Sequence, residues 1–330
     1  MSVTPEVNPI FFVVGATGSG KSGAAMAAAM ETPGIEIVAA DRYTAWAEMD
    51  IGTAKPTTED RQNVPHHLVD IFHMGSLLGW EVGPQYQPPG HDNMEALSTL
   101  ATQAFADISS RGGYALAVGG SPIMVDSLRR EIEVQPDPEW QATVMGMTDE
   151  RLFAFCEEWD LSFDYEGSAA SVREKLIWYV EAGLRDAPRK PHGLTLGVNL
   201  LGRETAHRIS GRIDQMWDEG LPQEVERLVG EYGWAEPLRR AIGYKEFMSE
   251  DGMSISDHDK ARRDILVNTM ALAWNQSVAF RKFGNSVLWL NHPEQVASTI
   301  SSYIRRHEQT GIQPAEFTRE TLARGDYAPR

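Results

Sequence analysis

Residues 15–22 read Gly-Ala-Thr-Gly-Ser-Gly-Lys-Ser, and this octet decides the fold. It fits the phosphate-loop pattern G-x-x-x-x-G-K-[ST], with Gly15, Gly20, Lys21 and Ser22 at the fixed positions. The apolar run Ile10–Val14 before it reads as a strand, and the Ala- and Met-rich run from Gly23 to Met30 reads as a helix. In that context the backbone N–H groups of Gly15, Ala16, Thr17, Gly18, Ser19 and Gly20 can turn inward around phosphate oxygens. The helix N-terminus adds its positive end. Lys21 would bridge the phosphates, and the Ser22 hydroxyl would hold Mg²⁺.

Strand and helix signals alternate outward from the octet. Ile35–Ala40 reads as a second buried strand ending at Asp41, His67–Phe72 as a short third and Tyr114–Val118 as a fourth. Leu194–Leu201 and Ser286–Leu290 follow. Residues 74–92 are rich in Gly, Pro and aromatics and read as a long loop. From Asp137 to Ala187 the Trp, Phe and Leu spacing is helical. The fold class expected is α/β: a parallel sheet of the P-loop NTPase kind, flanked by helices and carrying a helical insertion. The expected divisions are a core part at 1–135, the insertion at 136–192, a return to the core at 193–310 and a polar tail at 311–330.

Composition narrows the class. Hydrophobic residues at 42% and charged residues at 23% are those of an ordinary globular protein. A single cysteine, Cys156, allows no intrachain disulfide, and the first residues lack the basic and apolar regions of a secretion signal, so a cytoplasmic protein without membrane attachment is expected. Forty-seven acidic residues against 30 basic give a formal charge of −17, which counts against polyanion binding without excluding a local basic groove. His66 and His67 are adjacent on an extended segment and point to opposite faces, which argues against a shared metal ion. The tryptophans at 159, 178, 217, 234 and 274 read as packing residues of helices.

Several segments resemble one family in the right order: AADRYTAWAEMDIGTAKPT (39–57), VPHHLVDI (64–71), VGGSPIMVDSL (118–128), RETAHRISGRIDQMWDEGLPQEVERL (203–228) and AIGYKE (241–246), with LAWNQSVAFR (272–281) and VLWL (287–290) more weakly. They resemble the isopentenyltransferases, which comprise tRNA dimethylallyltransferases and adenylate isopentenyltransferases. The resemblance implies transfer of a dimethylallyl group from dimethylallyl diphosphate to an exocyclic amine, with Mg²⁺ as cofactor and the phosphate loop holding the leaving diphosphate. It makes Asp41, Thr17, Lys21 and Arg203 the catalytic set. Arg203, Tyr244 and Lys245 join the loop around the diphosphate. Asp41, Arg42, Thr44, Trp46, Thr53 and Lys55 line the acceptor side.

The chain departs from the tRNA-modifying branch on that acceptor side. Asp41-Arg42 replaces an Asp-Ser pair, Gly-Gly-Ser stands at 119–121, and Trp274-Asn275-Gln276 stands where that branch has Lys-Arg-Gln. These differences favour a free adenine nucleotide, AMP foremost, and a cytokinin-type product, and they disfavour tRNA. tRNA, a specialised-metabolite amine or indole, and a phosphate-loop kinase or NTPase are the alternatives.

Overall fold

In the computed structural model, residues 8–86, 93–130, 137–158, 169–181, 193–198 and 203–324 are described. Six parallel strands form one sheet in the order β3-β2-β4-β1-β5-β6. They are β1 (Phe11–Val14), β2 (Ile35–Ala39), β3 (His66–His67), β4 (Tyr114–Gly119), β5 (Leu194–Val198) and β6 (Leu288–Leu290). β1 lies between β4 and β5, and all four of its side chains are buried. Phe12 and Val14 enter a core with Val38, Phe105 and Met124, while Phe11 and Val13 enter a second core with Ala25, Leu196 and Tyr303. A strand covered on both faces is the requirement of a parallel sheet, and it explains why β1 is apolar throughout.

The third strand is shorter than the sequence suggests. Leu68 (φ 65°) and Asp70 (φ 55°) lie in the left-handed region, which ends the extended run after His67. Phe72 still makes one parallel bridge, to Trp46. Met74–Leu77 is a short helix inside the expected loop, whose residues 87–92 lie outside the described part. So do residues 199–201, at the end of the expected fifth strand.

The segment after β4 is helical where it is described, with helices Pro138–Met145, Asp149–Glu158 and Ala169–Glu181. Val144, Leu152, Cys156, Val172 and Leu176 make a core of their own there. Helix Arg203–Glu219 follows β5, and the long helix His258–Arg281 packs against it. Among the described residues no helix is long and apolar enough to cross a membrane.

Candidate active site

In an open parallel sheet the ligand crevice lies beyond the carboxyl ends of the strands. β1 leads there into the phosphate loop, β2 into Asp41 and β4 into Gly119-Gly120-Ser121. The loop is tightly wound: Gly18 (φ 75°) and Gly20 (φ 90°) take left-handed conformations that side chains disfavour. Ser19 N–H donates to the Ala16 carbonyl at 3.2 Å, and the first helix, Lys21–Glu31, starts without an acidic residue in its first turn. The buried Ser19 hydroxyl has no partner, an orphan inside the cradle. A Cβ on Gly120 would stand 3.4 Å from Lys21 Nζ and 3.4 Å from the Gly15 carbonyl, so a glycine there keeps the crevice floor open.

Lys21 is the electrostatic centre. Desolvation lowers its ammonium pKa to about 8, partly countered by Asp41 and reinforced by Arg212. Arg212, on helix Arg203–Glu219, is likewise lowered by desolvation and drawn up by Asp41. Lys21, Arg212 and Asp41 therefore face one crevice. Arg212 Nη2 donates to the Thr53 carbonyl at 3.2 Å, while its buried Nε has no partner. Desolvated cations with an unmet donor are suited to a multiply charged anion. The same helix covers the loop: a Cβ on Gly18 would meet Ile209, and one on Gly20 would meet Arg208 Nη1 at 2.7 Å. From the other side, the long helix sends Gln276 to accept from the Thr17 backbone N–H at 2.8 Å.

Asp41 is held by an Asx turn, its Oδ1 accepting from the N–H groups of Tyr43 at 2.8 Å and Thr44 at 3.3 Å. Burial pushes the Tyr43 phenol up to about 12, with Arg42, Glu236, Arg240 and Asp41 within electrostatic reach of it. The turn and helix Glu236–Arg240 thus adjoin.

Several expected site residues have other occupations. Tyr244 is fully buried: its hydroxyl donates to Glu224 at 2.6 Å and accepts from Gly52 N–H at 3.1 Å, so it holds the 50–52 turn rather than diphosphate. Glu224 also accepts from the N–H groups of Asp50 and Ile51. Lys55 spends its ammonium on the Trp46 carbonyl at 2.8 Å, Asp50 at 2.7 Å and Asp70 at 2.5 Å, which uses all three donors internally. Trp46, 1% exposed, packs on Phe72, and the Thr44 hydroxyl donates back to the Asp41 carbonyl. The Thr53 hydroxyl is committed to Met49, so only its carbonyl, through Arg212, bears on the crevice. Lys245 lines an open groove with Arg239 and Lys260, and no phosphate-loop residue is among its lining. Arg203 opens its helix, and its side chain lies outside the described part.

Ser22 is exposed at the start of the first helix. Among the described residues no group of three His, Cys, Asp or Glu could hold a metal. His66 Nδ1 bonds the Val64 carbonyl and His67 Nε2 bonds Glu36, so the pair diverges. An exposed hydroxyl beside the phosphate loop is a donor of the kind that a hard cation shared with phosphate oxygens accepts.

A model of the IPP transferase family matches residues 44–164 and 169–283, and one of the isopentenyl transferases matches residues 8–70. The chain belongs to the IPP transferase family. It is a prenyl-transferring enzyme. It is 30% identical to the tRNA dimethylallyltransferase of Geobacter metallireducens, over 90% of this chain and 97% of the relative. It is 31% identical to tRNA dimethylallyltransferase 1 of Citrifermentans bemidjiense, over 88% and 94%. Among solved structures, the tRNA Δ2-isopentenylpyrophosphate transferase of Staphylococcus epidermidis shares the fold with a TM-score of 0.62 at 22% identity, covering 91% of this chain and all of that one. A eukaryotic dimethylallyltransferase acting on tRNA gives 0.63 at 18%, over 92% and 79%. These relatives overturn the ranking that put a free nucleotide before tRNA. Arg42 and the changed 274–276 triplet are local differences, whereas the likeness to tRNA dimethylallyltransferases runs through nine-tenths of the chain.

Proposed function

We propose that this enzyme transfers the dimethylallyl group of dimethylallyl diphosphate to the exocyclic amine of an adenosine in tRNA. The observation that carries the reaction is the shared crevice of Lys21, Arg212 and Asp41: two desolvated cations and one oriented carboxylate. The acceptor rests on the relatives just named.

The diphosphate would lie in the loop, its oxygens taking loop N–H groups other than those of Thr17 and Ser19, which Gln276 and the Ala16 carbonyl engage, with the Lys21 ammonium and the unmet Arg212 Nε. Mg²⁺ bound by Ser22 and the diphosphate would neutralise charge on the leaving group. The amine nitrogen donates its lone pair to the allylic carbon, forming the C–N bond, as the C–O bond breaks and its electron pair leaves with the diphosphate. An adenine amine is a poor nucleophile, because its lone pair is delocalised. Asp41, accepting a hydrogen bond from that N–H, raises its reactivity as the new bond forms and takes the released proton. Gln276 holds the loop in register through Thr17.

The test combines purified enzyme, dimethylallyl diphosphate and Mg²⁺ with unmodified tRNA or AMP, read by mass spectrometry. One prenyl unit on a tRNA adenosine is expected, with kcat reduced about 10²- to 10⁴-fold in Asp41→Asn. Prenylated AMP beside untouched tRNA refutes the acceptor assignment. Undiminished turnover by Asp41→Asn refutes the role of the carboxylate.

A further inference from the structure

Glu224 lies near the start of helix Leu221–Tyr232, which follows helix Arg203–Glu219 after Gly220 alone. The residue is 8% exposed, and a carboxylate so buried is costly unless donors meet its oxygens. Both oxygens are met. Oε2 accepts from the N–H groups of Asp50 at 3.2 Å and Ile51 at 3.0 Å. Oε1 accepts from Ile51 at 3.1 Å, Gly52 N–H at 3.3 Å and the Tyr244 hydroxyl at 2.6 Å. Burial and this carboxylate push the Tyr244 phenol well above its ordinary range, so it remains a donor. Three successive backbone amides thus wrap one anion, and the start of a helix favours its charge.

The same turn faces the crevice through its next residue. Ala54 N–H closes it on the Ile51 carbonyl at 2.9 Å and Lys55 N–H on that of Asp50 at 3.0 Å. Ala54 lies at φ 46°, in the left-handed region that a side chain disfavours. The peptide just before it presents the Thr53 carbonyl to Arg212 Nη2 at 3.2 Å. Such a backbone conformation persists only where its surroundings over-determine it. Here two successive helices do so, Glu224 holding the amides of 50–52 and Arg212 the carbonyl of 53. Among the described residues that carbonyl is the one hydrogen-bond acceptor of Arg212. A guanidinium is planar, so fixing Nη2 fixes the direction of the unmet Nε as well.

We propose that Glu224 is a positioning residue for the donor half of the reaction: it fixes the 50–53 turn, and through the Thr53 carbonyl it aims Arg212 at the diphosphate. The inference rests on Arg212 as a diphosphate ligand and extends that reading to what orients it. It also moves the turn to the donor side, whereas the sequence reading set Thr53 beside the acceptor. A carboxylate suits this post better than an amide, because both of its oxygens face N–H groups.

Steady-state kinetics of the full-length enzyme test this with whichever of tRNA and AMP the wild type prenylates. Glu224→Gln keeps the side chain's size but turns an NH₂ group onto N–H donors at one of the two oxygens. Its kcat/KM for dimethylallyl diphosphate is expected to fall about tenfold, with KM for the acceptor unchanged. Arg212→Ala is expected to lose about 10²- to 10³-fold in the same quantity. Glu224→Gln added to Arg212→Ala then costs no more than about twofold, because the side chain it aims is gone. Should thermal melting show Glu224→Gln unfolded, Glu224→Asp, which keeps the charge and draws it back by one methylene, enters the same cycle with the same expectation. An equal loss from the Glu224 variant with and without Arg212 overturns the proposal, since the carboxylate then supports the fold at large. So does an unchanged donor kcat/KM, or a raised acceptor KM in its place, which returns the turn to the acceptor side. Wild-type kinetics in Arg212→Ala are a separate result: they remove the arginine from diphosphate binding, and the aim of Glu224 with it.

Discussion

Lys21 carries its charge at a cost to the folded protein, and that cost can be measured. Its pKa falls from an ordinary 10.5 to about 8, chiefly through desolvation. Such a drop corresponds to about 3 kcal/mol against the ammonium form in the unliganded protein. The sign follows from linkage. Below pH 8 the lysine is protonated in both folded and unfolded chains, and the full penalty is present. Above 10.5 it is neutral in both, and the penalty vanishes. Lys21→Met removes the charge while keeping the aliphatic stem. At pH 7 it should stabilise the apoprotein by about 2–3 kcal/mol in urea unfolding, an advantage that shrinks as the pH rises from 8 to 10.5. Comparing variant with wild type at each pH cancels the other groups that titrate there. Pyrophosphate should raise the wild-type midpoint and leave that of Lys21→Met where it is, because this ammonium's one hydrogen bond is a long one of 3.4 Å to the Ala16 carbonyl and a diphosphate would offset its desolvation. A variant no more stable than wild type at pH 7, or an advantage that ignores pH, refutes the reasoning.

Two further outcomes follow from the site's scaffolding. Gln276→Ala strips the Thr17 N–H of its 2.8 Å acceptor, so kcat/KM for dimethylallyl diphosphate should fall about tenfold with little change in KM for RNA; an unaltered donor kcat/KM would remove Gln276 from the site. Tyr244→Phe deletes a buried hydroxyl that serves both Glu224 and Gly52, and should cost about 1–3 kcal/mol in chemical denaturation, with pyrophosphate still binding as in wild type.

The sheet was legible because β1 and its loop obey local rules: four apolar residues, then glycines where the chain must turn left-handed. Third-strand length was not legible, since two left-handed non-glycine residues interrupt a run that reads as extended. The sequence reading put Lys21, Asp41 and Arg203 in the catalytic set; the structure brings Lys21, Asp41 and Arg212 within electrostatic reach of one another and sets Arg208 over Gly20, while the Arg203 side chain lies outside the described residues. Arginines along one helix look alike in sequence; the orientation of the helix over Gly18 and Gly20 is what brings Arg208 to the loop. Tyr244, Trp46 and Lys55 were placed in the site because their motifs resemble those of the isopentenyltransferases. Burial of Tyr244 and Trp46, and the three internal acceptors of Lys55, give them structural duties instead. Acceptor identity was read from a few local replacements, and these carry less weight than similarity along the whole chain.

The contact between Gly52 and Tyr244 has a consequence for how such a sequence can change over time. A Cβ at position 52 would collide with the Tyr244 ring and stand 2.9 Å from its hydroxyl, so the two positions cannot drift separately. Gly52→Ala in the present background jams the turn beside Asp50, whereas the same change after Tyr244 has become smaller escapes its three nearest clashes. The two substitutions are therefore history-dependent: one order passes through a folded intermediate and the other through a damaged one. Residues that never touch substrate can in this way govern which acceptor-side variants of the enzyme a lineage can reach.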